Sequence, residues 1–441
     1  MLRRIPILHY SIVPGGVLKG TIQVPGDKSI SHRAIMLGAL AEGSTLIRGF
    51  LPAEDCLGTL KAFQEMGVSI SIDVSDPTQV HVQGVGLRGL KAPLASLDLG
   101  NSGTSIRLMA GLLAGQSFSV TLTGDESLQK RPMRRVIDPL KLMGAHIEDT
   151  DGKPPVTVHG EAQLKGITYA LPIPSAQVKS AILLAGLLAE GKTTVIESAP
   201  TRDHTERLLT AFGYPISSHD KSVSLEGGHA FRGMEIQIPA DISSAAFFMV
   251  GAAIAPDSNI LLTGVGINGT RLGVIHILRA MGADIEIKNQ RQYGAEPVAD
   301  IAVRYSPLKG IEIPLEWVPL AIDEFPILFI AAACAKGKTL LRGAAELRVK
   351  ETDRIATMVQ GLERLGITAS ALPDGAIIEG GEFFGGEIDS HGDHRVAMAF
   401  SMAALRASGS IKIHHCEPVA TSFPNFVAVA SQAGLNIKEE K

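Results

Sequence analysis

Three cysteines in 441 residues, Cys56, Cys334 and Cys416, are too few and too scattered for a disulfide framework, and none stands at zinc-ligand spacing. That scarcity suits a reducing, cytoplasmic setting. Cationic excess is missing too: net charge is −4 and aromatics make up 5%, so neither nucleic acid nor an anionic membrane is recommended. Any cationic site must be local. Apolar runs are broken by Gly and polar residues before the roughly 18 positions of a membrane span. The stretch after Met1-Leu2-Arg3-Arg4, interrupted by His9 and Pro14, is too short for a signal segment. What is present is a chain 45% hydrophobic, long enough for two domains with real cores.

The chain repeats itself. Six segments share one plan: a polar start, an apolar helix of small residues, a Gly or Ser turn and a β-branched strand. They begin at Ser29, Thr104, Gln177, Asp241, Asp323 and Asp393. Each is followed by a more amphipathic helix ending near a glycine (Gly67, Gly144, Gly213, Gly282, Gly366, Gly434) and by another β-like run. The spacing predicts an α/β chain of six helix-strand-helix-strand units, each about 70 residues. The almost wholly apolar first helices are expected inside, with strands and amphipathic helices around them. Three units per globule is the natural split. Pro25-Gly26 and Pro239-Ala240 are the candidate crossings, giving a domain over 25–239 and another over 1–24 plus 240–441. Two crossing segments would permit closure around a ligand in the cleft between the domains.

Polar residues gather where the buried helices begin. Lys28, Ser29 and Arg33 open the first, Asn101 to Thr104 and Arg107 the second, and Ser175, Gln177 and Lys179 the third. Asp323 and Glu324 open the fifth, and Asp393, His394 and Arg395 the sixth. Nearby loops add Arg131, Arg134 and Arg135; Arg202, Asp203 and His204; and Arg348, Lys350, Glu351, Asp353 and Arg354. Unpaired backbone N–H groups and the macrodipole make such starts suited to phosphate or carboxylate. An ordinary capped helix is the other reading, since Asp and Ser at an N-cap need no ligand.

Other motifs tempt and fall away. Gly186 to Thr193 (GLLAEGKT) matches the P-loop pattern, but a helix precedes it and a strand follows, the reverse of what phosphate binding needs. Gly264, Gly266 and Gly269 form G-x-G-x-x-G in a slot that the other repeats fill differently, so a dinucleotide site is not expected. His391, His394, His414 and His415 lack further ligands at metal spacing. No nucleophile elbow occurs; Cys334 reads as mid-helix and Cys56 as near a loop, so covalent catalysis is not indicated. Asp323 and Glu351 are different. Each alone reads as an N-cap or surface ion pair, but together, set against a cationic half, they suggest acid/base chemistry on an anionic substrate.

Several of these stretches resemble one family closely. They are GDKSISHR (26–33), GNSGT (100–104), RPM (131–133), SAQVKS (175–180), RDHTE (202–206), IDE (322–324), RVKETDR (348–354) and DHR (393–395). Together they look like the 5-enolpyruvylshikimate-3-phosphate synthases (3-phosphoshikimate 1-carboxyvinyltransferases), along the whole chain. The resemblance implies two domains of three repeats, with the N-terminal strand pairing into the C-terminal domain. It implies transfer of the enolpyruvyl group of phosphoenolpyruvate to the 5-hydroxyl of shikimate 3-phosphate, en route to chorismate and aromatic amino acids. By matching positions, Lys28, Ser29, Arg33, Ser175, Ala176, Gln177, Arg202, Asp323 and Lys350 would hold shikimate 3-phosphate. Lys28, Gly103, Thr104, Arg131, Gln177, Glu351, Arg354 and Arg395 would line the phosphoenolpyruvate site. Asp323, Glu351 and Lys28 would carry the proton transfers. No metal or cofactor is implied, and a monomer is expected.

The chain departs from the family's better-known class, which carries Lys where Thr421 stands here. Together with Ser175-Ala176-Gln177 and RDHTE, this resembles the second class, whose members often tolerate glyphosate. Gly103 leaves room that an alanine would remove in tolerant members, so glyphosate is expected to compete for the phosphoenolpyruvate site. The sister enzyme acting on UDP-N-acetylglucosamine uses a loop cysteine, and none lies between Cys56 and Cys334. A non-catalytic anion-binding repeat protein is the rival reading; it would not need Asp323 and Glu351.

Overall fold

The computed structural model describes residues 7–441. Residues 1–6, the start of the segment read as too short for a signal, lie outside them. The chain divides into two compact units. The first holds Gly26–Ile238 and Gln292–Glu296; the second holds the described residues through Pro25 with Pro239–Arg291 and Pro297–Lys441. Each has its own apolar core.

Six helices of the first unit are α1 (Lys28–Leu40), α2 (Glu54–Glu65), α3 (Gly103–Leu113), α4 (Arg134–Leu142), α5 (Ala176–Gly186) and α6 (His204–Ala211). Those of the second are α7 (Ile242–Ile254), α8 (Gly273–Ala280), α9 (Phe325–Ala333), α10 (Arg354–Arg364), α11 (His394–Ala403) and α12 (Phe426–Ala433). The odd-numbered helices are the apolar ones. All residues of α7 and α9 are buried, which follows from having no polar face to turn toward water. Small residues let them approach closely: a Cβ on Gly111 of α3 would lie 2.1 Å from the Ala181 carbonyl oxygen of α5. Among the described residues none is long and apolar enough to cross a membrane.

Side chains cap five of these six starts. Asp27, Ser102, Ser175, Asp241 and Asp393 accept from the backbone N–H of Ile30, Ser105, Val178, Ser243 and Arg395, respectively. The exception is α9, where Glu324 at the N-cap makes no cap bond. The even-numbered helices are amphipathic and stop as expected. The glycine after each, from Gly67 to Gly434, has φ between +78° and +116°, the left-handed region that a Cβ disfavours.

In the first five repeats the chain adds a strand that the sequence plan does not predict, whereas the sixth keeps a single strand after its second helix. In those five an antiparallel hairpin follows the second helix, as in Ser69–Ile72 and Val80–Val85, which pair Ile70 with Val82. The strand following the buried helix, Glu42–Arg48, pairs with Val80–Val85, and a parallel strand from elsewhere, Glu235–Gln237, covers its other edge. That last strand follows the third repeat and returns to the first, closing the unit as a ring. In the second unit, His9–Gly16 takes the hairpin's place in the sixth repeat, lying between Ile411–His414 and Leu435–Glu440. Tyr10 and Ile12 thereby enter the core.

Two cysteine placements differ from the sequence reading. Cys56 lies inside α2, buried, with its thiol against the Lys28 carbonyl. Cys334 is the C-cap of α9, and burial pushes its thiol up to about 12. Neither environment makes a nucleophile.

Candidate active site

In the first unit the starts of α1, α3 and α5 collect most of the predicted residues. Lys28, at the first position of α1, forms an ion pair with Asp55 of α2. One turn on, Arg33 is buried, and three of its nitrogens serve the protein: Nε donates to Thr205 Oγ1 at 2.7 Å, Nη2 to Ser180 Oγ at 2.9 Å and Nη1 to the Ser29 carbonyl at 2.9 Å. Burial, opposed by Glu206 and Asp27 and aided by the nearby charge of Arg202, lowers its guanidinium to about 10. Arg33 therefore ties Ser29, Ser180 and the Arg202 segment together.

Lys179 looks from sequence like another helix-start cation. The structure spends it internally, between Glu197 at 3.0 Å and Glu206 at 2.7 Å, and fully buried. His32 is likewise structural. Burial, then Lys28 and Arg33, hold it well below its ordinary range, so it is neutral and bridges Thr59 and Ser105.

A second group joins α3 to α5. Gln177 Oε1 accepts from Arg107 Nη1 at 2.6 Å while its Nε2 donates to Thr104 Oγ1 at 3.1 Å. Arg131 donates to Asn101 Oδ1. Gly103 sits beneath both arginines: an added Cβ would stand 3.0 Å from Arg131 Nη1 and 3.1 Å from Arg107 Nη1. Ser175 caps α5, and Ala176 opens it.

In the second unit, Asp323, Lys350, Glu351, Arg354 and Arg395 form one constellation. Arg354 is its centre, almost wholly buried at the start of α10. Its Nε donates to Asp393 Oδ2 at 2.7 Å, Nη2 to Glu351 Oε2 at 2.6 Å, and Nη1 lies 3.7 Å from Asp323 Oδ1. Burial opposes the charge, but Asp393 and Glu351 outweigh it and hold the guanidinium above its ordinary value. Lys350 Nζ approaches Asp323 Oδ1 to 3.3 Å, and Arg395 Nη1 donates to the Asp323 carbonyl at 2.9 Å. A planar fork with five donors suits this; a point charge could not serve three carboxylates at once.

A model of the EPSP synthases (3-phosphoshikimate 1-carboxyvinyltransferases) matches residues 12–429. The chain belongs to that family. Among the relatives of this EPSP synthase family member is the 3-phosphoshikimate 1-carboxyvinyltransferase of Methylococcus capsulatus, 61% identical over 430 residues, 97% of this chain and 98% of that protein. The one from Alkalilimnicola ehrlichii is 62% identical over 432 residues, 97% of this chain and 96% of that one. The EPSP synthase structure from Acinetobacter baumannii superposes with TM-score 0.88 at 57% identity, covering 98% of this chain and 100% of its own. The enolpyruvyl transferase NikO of Streptomyces tendae, 18% identical, shares the fold at TM-score 0.81, covering 98% of this chain and 99% of its own.

Arg271 escaped the sequence reading, while for Glu324 and Thr421, both named from sequence, the structure supplies the partners. Arg271, in the loop that carries the G-x-G-x-x-G, is buried and donates to Ser243 Oγ at 2.6 Å and Asp241 Oδ1 at 3.2 Å. Glu324 turns inward to Ser243. Thr421, standing where the better-known class has Lys, is buried and donates to the Pro418 carbonyl at 2.8 Å. The only sequence signal for Arg271 was a cation beside a glycine-rich turn. The histidines at 391 and 415 face Asp389, and that at 414 faces Glu387.

Proposed function

We propose that this enzyme of the EPSP synthase family transfers the enolpyruvyl group of phosphoenolpyruvate to the 5-hydroxyl of shikimate 3-phosphate and releases phosphate. The observation that carries the reading is the pair of carboxylates, Asp323 and Glu351, gathered about Arg354 beside Lys350 and Arg395. An anion-binding protein has no use for two carboxylates among its cations. Asp323 takes the proton of the 5-hydroxyl as its oxygen adds to C2 of phosphoenolpyruvate, and Glu351, aided by Lys28, protonates C3. The tetrahedral adduct then loses phosphate from C2 as the same carboxylate removes a C3 proton, giving the enol ether.

Lys28, Ser29, Arg33, Ser175, Ala176, Gln177, Arg202, Asp323 and Lys350 hold shikimate 3-phosphate. Lys28, Gly103, Thr104, Arg131, Gln177, Glu351, Arg354 and Arg395 serve phosphoenolpyruvate. The free edge of Arg395 supports its part: beyond the bond to the Asp323 carbonyl, Nε and Nη2 have no partner among the described residues. Thr421, Ser175-Ala176-Gln177 and the segment from Arg202 to Glu206 favour the second class, and we assign the enzyme to the cytoplasm as a monomer that glyphosate inhibits.

Phosphate release from phosphoenolpyruvate, with and without shikimate 3-phosphate and in EDTA, tests the activity. Release that needs both substrates and ignores the chelator is expected. Binding of shikimate 3-phosphate without release would replace the transferase by an anion-binding protein. For Gly103→Ala, the added methyl displaces Arg131 and Arg107, and losing one charge-assisted hydrogen bond raises KM for phosphoenolpyruvate about tenfold. The inhibition constant for glyphosate should rise with it, while KM for shikimate 3-phosphate stays put; unchanged constants for both would remove Gly103 from that subsite.

A further inference from the structure

The start of α9 breaks the pattern of the other buried helices. Glu324 occupies the N-cap, yet its side chain caps nothing. It turns inward and is 0% exposed, accepting from Ser243 Oγ. The same Oε1 lies 3.8 Å from Arg271 Nη2 and 3.8 Å from Arg395 Nη1. Its second oxygen, Oε2, is buried and accepts no hydrogen bond among the described residues.

A buried carboxylate that leaves one oxygen unused and forgoes its capping bond is costly unless a cation needs it there. Arg271 is already served by Asp241 at 3.2 Å and by Ser243. Arg395 is not. It stands in the first turn of α11, where the positive end of the macrodipole opposes a cation. Among the described residues, Glu324 is the one carboxylate within 4 Å of its guanidinium. At 3.8 Å the contact is Coulombic rather than a hydrogen bond, so it holds the charge in place while sparing the donors.

We infer that Glu324 is a positioning residue for phosphoenolpyruvate: it holds Arg395 against the Asp323 carbonyl, with Nε and Nη2 turned free for the substrate's anionic group. The inference rests on the reading of Arg395 as a phosphoenolpyruvate ligand. Ser243 and Arg271 form the fixed wall behind it. Because Glu324 follows Asp323 directly, one short segment sets both the base and the cation beside it.

The test compares Glu324→Gln, which keeps the shape and removes the charge, with Glu324→Asp, which keeps the charge. KM for each substrate, kcat and thermal midpoint would be measured, and phosphoenolpyruvate binding followed by calorimetry with shikimate 3-phosphate present. Glu324→Gln should raise KM for phosphoenolpyruvate about tenfold, the loss of one charge-assisted contact, with KM for shikimate 3-phosphate within twofold and the midpoint unchanged. Glu324→Asp should recover part of the loss. Added to Arg395→Ala, Glu324→Gln should cost nothing more, because its effect passes through that arginine. An unchanged KM for phosphoenolpyruvate, an additive double variant, or a parallel fall in both affinities and the midpoint would each overturn the inference. If the parent binds phosphoenolpyruvate without turnover and Glu324→Gln still weakens binding, the positioning role stands and the transferase reading fails instead.

Discussion

Asp323→Ala and Glu351→Ala are each expected to lower kcat by about a hundredfold to ten-thousandfold while leaving the substrate affinities within a few-fold, the loss associated with one general acid or base. The structure makes these informative substitutions because neither carboxylate holds up the core. Asp323 keeps 16% of its side chain exposed, and its contacts include Lys350 at 3.3 Å and Arg354 at 3.7 Å. Glu351 is 22% exposed, and when it is removed Arg354 still grips Asp393 through Nε and Nη2. The fold should survive both changes. Steady-state kinetics in both substrates, with calorimetric binding of shikimate 3-phosphate, separates loss of chemistry from loss of binding. A kcat within threefold of the parent would remove the residue from the proton transfers. Asp323→Asn and Glu351→Gln should behave like the alanine variants, since what is lost is the proton acceptor rather than the volume.

Arg354→Ala is expected to damage stability as well as activity. Arg354 is 2% exposed and Asp393 0%, so truncation strands a buried carboxylate whose remaining partners are Thr352 Oγ1 at 3.2 Å and the Arg395 backbone N–H at 2.9 Å. Breaking a buried pair from one side costs about 3–5 kcal/mol. For a unit of this size that lowers the thermal midpoint by about 10 °C. Asp393 is also the N-cap of α11, so the damage reaches the turn carrying Arg395. Arg354→Lys should fall between: it retains a charge, but a single ammonium cannot meet Asp393 and Glu351 with separate parallel donors. Thermal unfolding and kcat measured together check this. Full stability in Arg354→Ala would mean that Asp393 is satisfied without it.

Much of this molecule is written locally. The apolar first helices, their Asp and Ser starts and the glycines after the second helices follow from periodicity, capping and left-handed backbone, all set within a few neighbours. Residues such as Lys28, Gln177 and Asp323 stand out because polar groups cluster at the ends of otherwise apolar segments. What the sequence by itself determined was therefore the repeat, its caps and the residue types offered at each buried helix start.

Tertiary structure decided which of those groups meet. Ser243 and Glu324 are 81 residues apart, Arg395 and Asp323 72, and Arg354 and Asp393 39, and no periodicity links them. They meet because helices from successive repeats pack side by side within one unit, so ends remote in the chain become neighbours. The same closure gives the sixth repeat its missing strand from His9–Gly16, and folding within the third repeat spends Lys179 on two buried glutamates. It also turns Glu324 from a cap into a counter-charge. A cap is a bond to the next turn and can be read from sequence; a counter-charge depends on which arginine the fold brings within 4 Å.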